Sequence, residues 1–105
     1  MNSKRKGNDG ERELLSILRQ HGEATRNDQT FIGGKDNPDI SFTSGSRRYH
    51  VECKRTEHLK LYEAIRQAEA DAGSMAIPIV IHRRNREPWY ITMRLSDFLA
   101  GGGKA

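Results

Sequence analysis

Two short runs, "PDISFT" (38–43) and "YHVECK" (49–54), alternate apolar and polar side chains on either side of a Ser-Gly-Ser turn. Alternation of period two with a turn between marks a β-hairpin. In the first run Ile40 and Phe42 share one face, and Asp39, Ser41 and Thr43 the other. In the second, Tyr49, Val51 and Cys53 oppose His50, Glu52 and Lys54. A loop of two residues sets Asp39 opposite His50, and a loop of four sets it opposite Glu52. Either register leaves two carboxylates and an ammonium on one side of the ribbon. Directly opposed Cβ atoms lie about 4.5–5.5 Å apart, so the two acids can grip one cation. Without it they repel, and one tends to keep a proton. Oxygen-only ligation suits a hard ion, Mg²⁺ or Mn²⁺, which keeps several waters and binds phosphate with the rest of its shell. The backbone carbonyl of Cys53, fixed by its strand, is a third donor.

The elements around the hairpin must hold this set in place. "DGERELLSILRQHG" (9–22) predicts a helix capped at Asp9 and stopped at Gly22, with Leu14, Leu15, Ile17 and Leu18 as one stripe. On a helical wheel Glu11 falls about 40° from the centre of that stripe and Glu13 about 120°. Glu13 therefore reads as a solvated acid. Glu11 points along the buried face at its open end, where a lone charge is costly, although the helix dipole favours an acid in the first turn. The connection "EATRNDQTFIGGKDN" (23–37) is polar, with a short strand at Ala24–Arg26. "LKLYEAIRQAEADAG" (59–73) predicts a second helix with Leu61, Ile65, Ala68 and Ala72 on one face and Gly73 as its stop. "AIPIVIH" and "WYITM" predict two strands joined across "RRNREP", and "LSDFLA" a closing helical turn. The pattern is α/β, a mixed β-sheet flanked by helices.

Bulk properties bound what this arrangement serves. A chain of 105 residues supports one core, which we place at residues 9–100, between a basic arm (1–8) and a flexible glycine-rich tail (101–105). A net charge of +4 and a pI near 9.5 favour a polyanionic partner. Cys53 is the single cysteine, which excludes an intrachain disulfide and a cysteine-based zinc cluster. No leader and no apolar run near 18 residues is visible, so no membrane role is expected, and the cytoplasm is the expected location. Gly33-Gly34-Lys35 lacks the strand and helix of a P-loop. His21, His58 and His82 have no ligand spacing.

Pro38-Asp39 followed by Glu52-Cys53-Lys54 after a hairpin resembles the PD-(D/E)xK nuclease superfamily. Within it the chain is most similar to the archaeal-type Holliday-junction resolvases and their phage-borne relatives, since "KGNDGERELLSILRQHG" is similar to that family's N-terminal helix, with Glu11 at its acidic position. The likeness in motif order spans about residues 6–93. It implies a restriction-endonuclease-like core in α-β-β-β-α-β order and an Mg²⁺-dependent endonuclease, with Mn²⁺ able to substitute. It further implies branched DNA, a four-way junction, as substrate, and a homodimer, because a two-fold junction needs two active sites. If the chain is phage-encoded, the host cytoplasm is its location.

Under that resemblance Glu11, Asp39, Glu52 and Lys54 are the catalytic set. Asp39, Glu52 and the Cys53 carbonyl hold the ion, and Glu11 either completes the shell through water or helps hold a second ion. Phosphate contacts are expected from Lys4, Arg5 and Lys6, from Arg47 and Arg48 at the hairpin tip, and from Arg55, Lys60, Arg83, Arg84 and Arg86. Gln67, His50 and Thr30 are accessory candidates. Met75, Ile77, Trp89 and Phe98 are candidates for an apolar subunit contact. Two departures bear on specificity: the connection at Gln29–Asn37 is longer than the family's usual one, and the sequence after Lys54 is unlike the archaeal members. Two alternatives stay open, a nuclease of the same fold with flap, repair or restriction-like specificity and a non-catalytic DNA-binding module.

Overall fold

The computed structural model describes residues 3–27 and 39–102, with side chains described for 9–26 and 40–101. Thr30 lies outside the described residues, as do the side chains of Lys4, Arg5, Lys6 and Asp39. In chain order the elements are α1 (Ser3–Leu18), β1 (Glu23–Asn27), β2 (Asp39–Ser44), β3 (Arg47–Arg55), α2 (Leu61–Ala72), β4 (Ile77–Arg83), β5 (Tyr90–Met93) and α3 (Leu95–Gly102). Helix α1 begins at Ser3 rather than at an Asp9 cap, and α3 runs past Ala100 to Gly102.

The five strands form one sheet in the order β1-β2-β3-β4-β5. β3 and β4 are parallel, joined by the α2 crossover, and the other neighbours are antiparallel. This is the mixed α/β sheet that the alternation of strand and helix patterns demands. One sheet face buries Ala24, Ile40, Val51, Ile79 and Ile81 against Leu14, Leu15 and Leu18 of α1. The other buries Val80 against Ala64 and Ala68 of α2, whose small side chains let the helix lie close to the sheet. Each fully buried Leu, Ile or Val contributes about 1.5–3 kcal/mol, so these two layers hold β3 from both sides. Ile17, expected within the α1 stripe, stands at its rim.

The hairpin closes on the pair Ser44–Arg47, with Gly45 at φ +62, a left-handed conformation that glycine adopts without a Cβ penalty. Thr43 pairs with Arg48 and Ile40 with Val51. Continued by one residue, that register sets Asp39 opposite Glu52. The loop has two residues, Gly45 and Ser46, so the expectation that a two-residue loop would set Asp39 opposite His50 is corrected, because pairing Ser44 with Arg47 carries 39 onto 52. Where α1 hands over to β1, Gly22 lies against the Thr43 carbonyl and the Phe42 ring, leaving no room for a Cβ. Gly22→Ala is expected to destabilise the fold by about 1–3 kcal/mol, as overpacking against backbone does, which a urea melt would show as a lower midpoint at unchanged slope.

Candidate active site

β3 carries the centre of the site. Val51 and Cys53 face α1, so by alternation His50, Glu52 and Lys54 face α2. Glu52 is 3 % exposed, and Lys54 Nζ lies 3.7 Å from its Oε2. A carboxylate buried to this degree is held ionised only by charge or hydrogen bonding, and Lys54 supplies positive charge at the solvent side.

Next to Glu52, on the same face, stands His50, 8 % exposed, with Nε2 3.9 Å from Oδ2 of Asp71 on α2. Gln67, one helical turn earlier, donates its amide to that same oxygen at 2.9 Å. Gln67 thus bonds Asp71 and lies two groups away from Glu52. Asp71 went unnoticed in the sequence, although Gln67 and Asp71 at i, i+4 are legible as a helix-surface pair. A cleft of about 460 Å³ opens beside them, lined by Thr25, Ser41, Arg48, His50 and Asp71 among others.

Glu11 enters from the other side of β3. It is 5 % exposed, and an oxygen of its carboxylate lies 3.0 Å from Arg26 Nη2 on β1. The lone charge of the helical wheel is therefore paired, and Arg26 is a residue the sequence reading missed. Its signal was the alternation of β1, which puts Ala24 and Arg26 on the α1 face. The Cys53 thiol lies within the field of both acids. Burial first, then Glu11, then Glu52 push it up to about 12, against a smaller opposing pull from Lys54.

The basic residues divide. Arg48, Lys60, Arg84 and Arg86 are exposed. Arg83, expected on phosphate, is drawn into a clamp instead. Its Nη2 lies 3.0 Å from Glu13, its guanidinium sits over the Trp89 ring, and Nη1 donates to the Glu87 carbonyl. Trp89 Nε1 donates to the other Glu13 oxygen at 3.2 Å. Glu13 is thus a tertiary anchor between α1 and the β4–β5 connection, not a purely solvated acid. Arg47 folds back over the Tyr49 ring and against Gly101, and Arg55 lays its stem on Gly10. These three side chains do structural work first.

A mixed sheet with one helix layer on each face and an acid-x-lysine strand at its centre defines a restriction-endonuclease-like nuclease core. The chain belongs to the family described as "Phage putative PDDEXK endonuclease", whose model matches residues 2–103. Among solved structures it is similar to Hjc of Archaeoglobus fulgidus, a Holliday junction resolvase from an archaeal hyperthermophile. The TM-score is 0.65 at 25% identity, covering 82% of this chain and 75% of that one. Among curated proteins, none matches the chain. The protein is a nuclease of PDDEXK type.

Proposed function

We propose that this nuclease is a divalent-metal-dependent endodeoxyribonuclease acting on branched DNA, with the four-way junction as its substrate. The observation that carries the metal-dependent chemistry is the Glu52–Lys54 pair on one face of β3, at the register position facing Asp39. Similarity to Hjc supports the junction as substrate. The donor set, two carboxylates and the Cys53 carbonyl, fits a hard ion. Mg²⁺ or Mn²⁺, when bound there, would polarise a phosphate oxygen and acidify a water. Asp39, Glu52 and the Cys53 carbonyl would hold that ion, and Glu11, paired with Arg26, would either complete its shell through water or help hold a second ion. Lys54 places a compact positive charge beside the attacking water and the phosphorus. Water adds in line to phosphorus and the P–O3′ bond breaks, leaving 5′-phosphate and 3′-hydroxyl ends. Arg48, Lys60, Arg84 and Arg86, with the basic residues 4–6, supply phosphate contacts.

The deciding experiment incubates the purified chain, with Mg²⁺ or with EDTA, on four-way junction, flap, nicked and plain duplex DNA. Paired symmetric nicks confined to the junction support the proposal. Cutting of the other substrates instead moves the specificity elsewhere within the fold, and metal-independent binding without cutting removes the catalytic reading.

Two cuts on a two-fold substrate require two copies. Of the four apolar residues expected at such a contact, Ile77 and Trp89 pack on the core while Met75 and Phe98 are exposed. The segment from β5 to α3 exposes more than half of Tyr90, Ile91, Leu95, Phe98 and Leu99, a density of apolar surface typical of contact sites. Leu95→Glu with Phe98→Glu is expected to shift the protein from dimer to monomer in sedimentation velocity and to uncouple the two nicks. No described helix is long and apolar enough to cross a membrane, and the proposed site of action is the cytoplasm, that of the host if the chain is phage-encoded.

A further inference from the structure

Around Glu52 lies a set of donors of which the proposed hydrolysis uses Glu52 alone. One ligand atom each from His50, Glu52 and Asp71 fall within 4.8 Å of one another. They come from two elements locked together by the Val80–Ala64–Ala68 packing, β3 with its parallel partner β4 on one side and α2 on the other. Ligands that each sit about 2.0–2.2 Å from one ion lie up to about twice that far from one another, and His50 Nε2 and Asp71 Oδ2 are 3.9 Å apart. His50 and Asp71 also line the 460 Å³ cleft, so an ion has a path from solvent. The Gln67 amide fixes the orientation of Asp71, the kind of outer contact that orients ligating carboxylates.

We infer that His50, Glu52 and Asp71 form a second cation site, sharing Glu52 with the first, that takes an ion able to accept a nitrogen donor (Mn²⁺, Co²⁺ or Zn²⁺) in preference to Mg²⁺. The imidazole sets the preference. Nitrogen donors suit transition ions, whereas Mg²⁺ is held by oxygen and dehydrates reluctantly. The Asp39–Glu52–carbonyl set is all oxygen, so the two sites differ in kind, and the inference rests on the nuclease reading only through the shared Glu52.

Pulsed EPR of Mn²⁺ titrated into the metal-free protein tests it without any DNA. The wild-type spectrum is expected to carry the ¹⁴N modulation of a directly bound imidazole. His50→Gln should remove that modulation and weaken binding of the ion about 10–100-fold, while Asp71→Asn weakens binding by a similar factor and keeps the modulation. Bound Mn²⁺ without ¹⁴N modulation in the wild type overturns the inference whether or not the variants fold, and so does modulation that survives His50→Gln. The two readings fail separately. Junction cleavage in Mg²⁺ with no ¹⁴N coupling removes the second site alone. Coupling present, with no cleavage of any DNA in Mg²⁺ or Mn²⁺, removes the proposed hydrolysis alone.

Discussion

Glu52→Gln is expected to lower cleavage by about 10³-fold or more, equivalent to at least about 4 kcal/mol of barrier, while raising the melting temperature. Both effects follow from one feature, a carboxylate buried at the centre of β3. Holding an ionised acid away from water costs several kcal/mol before its partners are counted, and the neutral amide of similar shape escapes most of that cost. The amide also forfeits the charge that would hold a divalent ion. Binding of junction DNA should be unchanged or tighter, because a negative charge facing phosphate has gone. Asp39→Asn, at the facing register position, should behave alike in cleavage and binding. Single-turnover cleavage, filter binding and a thermal melt on the same preparation check all three quantities. A variant that still cuts at the wild-type rate would end the hydrolytic role given to this strand. A variant that is inactive because it has unfolded would show itself in the melt.

The hairpin was legible because residues 39–43 and 49–54 obey the period-two rule on either side of a Ser-Gly-Ser turn. The register was not settled by the sequence, which left Asp39 opposite either His50 or Glu52; the Ser44–Arg47 closing pair selects Glu52. α2 was legible from its alanines and from Gly73, whose amide closes the helix on the Glu69 carbonyl. The early start of α1 was not, since Gly7 and Gly10 lower helix propensity there and the basic residues 4–6 show no apolar period. What the sequence conceals most fully is pairing between distant elements. Glu13 has the wheel position of a surface acid, and only the β4–β5 connection arriving overhead gives it Arg83 and Trp89. Glu11 looks like an expensive buried charge until β1 brings Arg26 within 3.0 Å. His50 and Asp71 sit 21 positions apart in the numbering, and only the crossover that makes β3 and β4 parallel sets α2 above His50. In each case the residue type and its face were readable, while the partner depended on how helices lie on the sheet.

Lys54→Ala is expected to slow cleavage about 10²–10³-fold, the usual cost of removing one preorganised charge from a developing oxyanion. Its effect on DNA binding should be small. One lost phosphate contact changes the slope of log affinity against log salt by about 0.9, so at fixed salt the dissociation constant should move far less than the rate. That split between rate and affinity separates a role at the reacting phosphorus from simple attraction of the backbone. Lys54→Arg sharpens the test. The guanidinium keeps the charge but is planar, bulkier and more weakly hydrated than an ammonium, and with Nζ only 3.7 Å from the buried Glu52 oxygen there is little space for a fork. Arginine should therefore restore most of the binding and little of the cleavage. If rate and affinity instead fall together in Lys54→Ala and return together in Lys54→Arg, Lys54 is one more phosphate contact. The chemistry must then rest on the acids alone.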